Sequence, residues 1–179
     1  RESPIITRPL LYQLEVEYFS CDVKLPVFQP LLDTSNPSVN ATIYTFTLTH
    51  DQDEVTQMLV FNPQTVGIDS TNDEYYRIYS YQHVVDMLNT TLASTFTDLA
   101  AATTLPTANV PYFSFDSDTY KLILTCDKAG FDQASVGTPI YLYCNTAMER
   151  LLASFNFEYQ STIVNGKYAK LLINSNGSN

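Results

Sequence analysis

The chain has 179 residues, 45% of them hydrophobic and only 16% charged, with 13 Tyr, 10 Phe and no Trp. That length suits one domain, or one domain with an appendage, and is enough to bury a sizeable core without metal or disulfide support. A formal charge of -10 repels phosphate backbones and anionic membranes, so it disfavours sequence-independent nucleic-acid binding and leaves basic partners, cations or other protein faces.

No apolar run approaches the ~18 residues of a membrane span, and no secretory signal opens the chain. The first residue is Arg1, which points to a processed product or the ordered part of a longer polypeptide. Cys21, Cys126 and Cys144 form no CxxC spacing and are expected to be buried thiols that behave as small core hydrophobes.

In chain order, residues 1–9 carry Pro4 and Pro9 and read as an extended arm. Leu10 to Tyr18 alternates, with Tyr12, Leu14, Val16 and Tyr18 on one face, the pattern of a half-buried strand. Residues 26–40, with Pro26, Pro30 and Pro37, read as a loop able to reach a neighbour. A strand at Thr42–Thr49 places Tyr44, Phe46 and Leu48 on one face and Thr45, Thr47 and Thr49 on the other. The turn at His50–Asp53 leads into an antiparallel partner at Glu54–Phe61. Loop 62–73 follows, and the aromatic run Glu74–Tyr81 reads as a further strand.

Val85, Leu88, Leu92, Phe96 and Leu99 step by three and four, which predicts an amphipathic helix over 82–101. The run Phe115-Asp116-Ser117-Asp118-Thr119 predicts a tight hairpin turn, because Asp and Ser side chains satisfy turn amides locally. Tyr120–Thr125 and Pro139–Cys144 are predicted strands. Asn145 or Thr146 caps a short helix whose buried stripe is Met148, Leu151, Leu152 and Phe155. Strands at about 156–164 and 167–174 flank Asn165-Gly166, a strong hairpin signal. Hairpins without βαβ alternation predict an α+β fold, mainly antiparallel sheet, with one long and one short amphipathic helix. The expected organisation is an arm over 1–9, a single α+β domain over 10–174 and a flexible tail over 175–179.

Catalytic grammar is missing. His50-Asp51-Gln52-Asp53-Glu54 is the densest set of oxygen ligands, but it is too small for a calcium site and is read as a solvated turn. Asp116 and Asp118 are turn formers rather than an acid/base pair, which needs a cleft with divergent environments. A nucleophile–histidine arrangement would have to use His50 or His83, and His83 falls in the first turn of the long helix. Five scattered glycines build no phosphate loop. No catalytic, cofactor or metal residue is therefore assigned. Asn40-Ala41-Thr42, Asn89-Thr90-Thr91 and Asn176-Gly177-Ser178 match the glycosylation acceptor pattern, with Asn89 expected to face solvent from the helix.

Three segments, Leu105-Pro106 to Phe113 leading into Phe115–Thr119, then Pro139–Asn145, then Met148–Phe155, follow the Tyr81–Leu99 helix. Their order, in a chain rich in Tyr, Phe, Asn and Thr, resembles structural proteins of non-enveloped viruses, of the minor capsid or spike kind. The resemblance implies a subunit of a symmetric shell with no cofactor and no catalysis. The expected function is a non-catalytic assembly protein of the virion that binds other protein subunits as a homo- or hetero-oligomer, without nucleic acid. The alternative is a secreted or cell-surface module that recognises a protein or glycan through exposed Tyr side chains.

Overall fold

The structure is a computed structural model that describes residues 26–65, 67–132 and 136–153 in full, and the backbone of 156–164 and 168–174. Strand β1 spans Ala41–His50 and alternates as its sequence dictates, with Tyr44, Phe46, Leu48 and His50 buried. Asp51 and Gln52 turn the chain into β2, Asp53–Val60, with His50 opposite Asp53. Asp51 takes the turn at φ 53, a left-handed conformation that Asp tolerates better than most residues. Strand β5, Tyr141–Cys144, lies antiparallel on the other side of β1, completing a three-stranded sheet of order β2-β1-β5.

A second antiparallel sheet has the order β3-β4-β7-β6. Its strands are β3 (Tyr112–Asp116), β4 (Lys121–Asp127), β6 (Asn156–Val164) and β7 (Tyr168–Asn174). The fold is α+β and mostly sheet. The turn at Asn165-Gly166, the strand expected over 10–18, and Phe155 lie outside the fully described residues, as do Cys21 and Asn176.

Helix α1, Tyr81–Ala102, packs against β1, β2 and β3. The predicted stripe of Val85, Leu88, Leu92, Phe96 and Leu99 is buried in full. Thr91 and Thr95 are buried beside it, their hydroxyls donating to the carbonyls of Met87 and Thr91 four residues back. That local bond lets a hydroxyl enter an apolar core without an orphaned donor. The two sheets meet through Phe46 and Phe113, whose rings stack at 5.9 Å. Each fully buried Leu or Phe in this core is worth about 1.5–3 kcal/mol.

Helix α3, Thr146–Ala153, begins where expected: the Asn145 side chain accepts from the Met148 N–H, and Met148, Leu151 and Leu152 are buried. Asn145 also joins helix to sheet, with Nδ2 donating to the Ile43 carbonyl and Oδ1 accepting from the Thr45 N–H. A one-turn helix α2, Lys128–Phe131, is capped by Asp127, whose carboxylate accepts from the Ala129 N–H. Asp127 is 3% exposed and gathers Thr107 Oγ1 and Asn109 Nδ2 as further donors, tying the loop after α1 to the end of β4.

Three expectations need correction. The aromatic run from Glu74 is not a strand. Asp73–Tyr76 is a 3-10 turn capped by the Asn72 side chain, and Tyr75 and Tyr76 pack on Phe61. The loop 26–40 does not reach outward as a free arm. Val27 N–H donates to the Ile78 carbonyl, Leu31 N–H to the Tyr44 hydroxyl, and Ile43 N–H to the Leu31 carbonyl, so the segment is sewn to its own domain. Cys144 is exposed rather than buried, because it ends β5, which among the described residues has a strand neighbour on one side only; Cys126 is buried, and both are free thiols.

Candidate assembly surface

The sites singled out by sequence do not converge. Asp51 and Asp53 belong to the β1–β2 turn, whereas Asp116 and Asp118 belong to the β3–β4 turn on the other sheet. In the latter, the Asp116 carboxylate accepts from the Thr119 hydroxyl at 2.7 Å and from the Asp118 N–H at 2.9 Å. Those bonds hold its pKa below the ordinary carboxylate value, with the Thr119 hydroxyl as the chief cause. This is turn chemistry. Among the described residues, no group of three His, Cys, Asp or Glu side chains is placed to hold a metal ion.

His83 donates Nε2–H to the Asn62 carbonyl at 2.6 Å, on the wall of a groove of about 350 Å³ that also contains Asp86 and Met87. The imidazole is spent on the backbone, and neither Ser nor Cys lines the groove. His50 is buried under the sheet with Nδ1 unpartnered.

Asn40 and Asn89, the two acceptor-pattern asparagines among the described residues, are equally engaged. Asn40 Oδ1 accepts from the Tyr75 hydroxyl at 3.1 Å. Asn89 does not face solvent, contrary to its reading from the helix pattern. Its Nδ2 donates to the Phe113 carbonyl at 2.9 Å and its Oδ1 accepts from the Phe113 N–H at 2.6 Å. The side chain lies four residues after Val85, on the flank of the buried stripe, where an amide can serve the adjacent strand. It occupies the N–H and carbonyl that Phe113 turns outward from β3.

What the described residues leave open is one face of the three-stranded sheet, and the side of β5 away from β1. Thr47 pairs across β1 with Thr56 of β2 on one side and Tyr143 of β5 on the other, and Thr49 likewise with Glu54 and Tyr141. Cross-strand partners share a face, so Tyr, Thr and a single Glu line the outside of this sheet. Tyr141 and Tyr143 stack with centroids 6.2 Å apart, and Tyr143 is 53% exposed. β5 itself carries no charge, in a chain whose net charge is -10. The opposite margin differs, since β2 begins with Asp53 and Glu54 and its Gln57 donates to Asp98 of α1 at 2.7 Å. Exposed tyrosines with no like charge among them form a surface suited to protein contact, because aromatic side chains bring large rigid area to an interface.

A family model described as Sputnik minor capsid protein V18/19 matches residues 1–179. Among solved structures, a chain of the Sputnik virophage determined by cryo-EM at 3.5 Å resolution is similar, with a TM-score of 0.70 and 20% sequence identity. The match covers 86% of this chain and 53% of that one, so the chain spans about half the length of the virophage protein it resembles in fold. A search of curated proteins gives no match.

Proposed function

Because the chain belongs to the Sputnik minor capsid protein V18/19 family, and is thereby a structural component of a virion, we propose that it works without catalysis, by protein–protein contact alone. The single observation that carries the reading is the family match along the whole chain. The tyrosine-bearing outside of the β2-β1-β5 sheet, with Glu54 as its one named charge, supports it, as does the engagement of His83, Asn89, Asp116 and Asp127 in internal structure. Its partners are other protein subunits of the particle rather than the genome, since a net charge of -10 repels nucleic acid. No helix among the described residues is long and apolar enough to cross a membrane. The expected organisation, an arm over 1–9, one domain over 10–174 and a short tail, belongs to this proposal. So does sugar attachment at Asn40 or Asn176, whereas Asn89 would have to leave Phe113 to accept a glycan. Nothing in the fold or the family favours a secreted binding module.

Mass spectrometry of purified particles tests the proposal. Peptides of this chain should persist at a constant ratio to the most abundant shell protein through high-salt and mild-detergent washes. Their absence, or removal by the washes, would refute it.

A further inference from the structure

Among the described residues, two other than glycine take a positive φ, Asp51 and Tyr120. Asp51 suits it, because a short carboxylate can bond locally in that conformation. Tyr120, at φ 54, does not: its Cβ crowds the following carbonyl, a cost that Gly avoids and Asn tolerates. Strain of this kind persists only where something else holds it in place. The turn itself closes without the Tyr120 side chain. Asp116 accepts from the Asp118 and Thr119 amides and from the Thr119 hydroxyl, which ties β3 to β4 on its own.

Tyr120 is 52% exposed and stands at the end of an aromatic series. Tyr81 of α1 stacks on Phe115 of β3 at 5.0 Å, and Phe115 meets Tyr120 edge to face at 6.4 Å. The series gives the exposed ring a rigid base. Charge at the tip is uneven. The Asp116 carboxyl is held below its ordinary value chiefly by the Thr119 hydroxyl and, as a lesser cause, by the nearby charge of Lys121. Asp116 and Lys121 thus offset one another. Asp118, exposed within the turn, remains as the net charge of the tip.

We propose that the tip of the β3–β4 hairpin is a contact element, with Tyr120 as its anchor, seated in a cleft of a neighbouring virion subunit that carries a Lys or Arg side chain beside it. Tyr is enriched among the residues that dominate binding energy, because a rigid ring brings large area and a polar end to a pocket. The basic group answers Asp118 and can also lie over the face of the Tyr120 ring. The strain at Tyr120 is then offset in the complex rather than in the free chain.

The inference rests on the virion reading, and the test keeps the two apart. Full-length Tyr120→Asn and Tyr120→Phe chains are compared with the wild type, in isolation by thermal unfolding and in purified particles by mass spectrometry after high-salt washing. Asn tolerates the left-handed turn, so the isolated Tyr120→Asn chain should keep or raise its thermal midpoint. Its retention in particles should fall at least about tenfold. Tyr120→Phe keeps the ring and should be retained. A lowered midpoint for Tyr120→Asn shows that the ring serves its own domain and overturns the contact element, as does retention equal to the wild type. In both cases the wild-type chain, present in the particle, leaves the virion reading intact; its absence from the particle overturns both. Tyr120→p-benzoylphenylalanine, irradiated in particles, should cross-link to another subunit at a segment containing Lys or Arg. Adducts confined to the same chain overturn the contact, and adducts to a segment without a basic residue overturn the partner's chemistry.

Discussion

Asn89 of the long helix and Phe113 of the neighbouring strand are joined by two hydrogen bonds, side-chain amide to main chain, at 2.9 and 2.6 Å. At Phe113 the amide makes the pair of bonds that one residue of a further strand would make. Replacing Asn89 with Ala leaves a partly buried N–H and carbonyl without partners, at a cost of about 2–3 kcal/mol. For a chain of this size that lowers the thermal midpoint by roughly 4–12 °C. Asn89→Asp keeps the acceptor for the Phe113 N–H but sets a carboxylate against its carbonyl, so it should not restore stability. Thermal unfolding followed by circular dichroism decides both.

Gly130 is held to glycine by Thr107. A Cβ at this position would lie inside the van der Waals shell of the Thr107 γ-methyl, and Thr107 is itself tied to Asp127 by its hydroxyl. Helix propensity favours Ala over Gly by up to ~1 kcal/mol. Overpacking costs about 1–3 kcal/mol and therefore wins. Gly130→Ala should destabilise the fold, and adding Thr107→Ser, which removes the methyl but keeps the hydroxyl, should recover most of the loss. A denaturant double-mutant cycle measures the coupling.

The β3–β4 turn should depend on pH in the acid range. Asp116 has its pKa lowered from 3.8 by the Thr119 hydroxyl and the Asp118 and Thr119 amides. A carboxylate depressed in the folded state stabilises the turn above its ordinary value and ceases to do so as pH falls through the lowered one. The Asp118 and Thr119 amide resonances should thus hold their positions down to about pH 4 and shift below it, and Asp116→Asn should abolish the step.

The thiols should separate by reactivity. Burial pushes the Cys126 thiol up to about 12, so it stays protonated and sheltered at neutral pH. Cys144 is exposed, with its pKa raised by partial burial and by Glu149, so it should react slowly but measurably, faster as pH rises. Alkylation of the native chain with peptide mapping should label Cys144 well before Cys126, and Glu149→Gln should speed Cys144.

Much of this was legible in the sequence where periodicity is local. The alternation of Tyr44, Phe46 and Leu48 and the stripe from Val85 to Leu99 follow from spacing alone, and the cap of the short helix was narrowed by residue type to Asn145 or Thr146, of which the structure uses Asn145. The run from Glu74 misleads because Tyr and Ile favour strands, yet Asn72 starts a 3-10 turn and Phe61 gives the two rings a place to pack. Tertiary packing outweighs a weak propensity there. Asn89 read as a surface residue because its partner, a strand edge 24 positions away, leaves no mark in a helical pattern. The pairing of β5 with β1 was equally hidden, since the two strands lie nearly a hundred residues apart.

That distance has a further consequence for synthesis. Phe46 faces Cys144 across the ladder, so the β1–β2 hairpin cannot gain its third strand until the long stretch between β2 and β5 has followed it from the ribosome. Until then the flank of β1 that will receive β5 has no permanent neighbour. Closure of such a long loop is slow, and maturation of the subunit should be timed by the arrival of residues 141–145 rather than by the helix, which can form from its own local contacts.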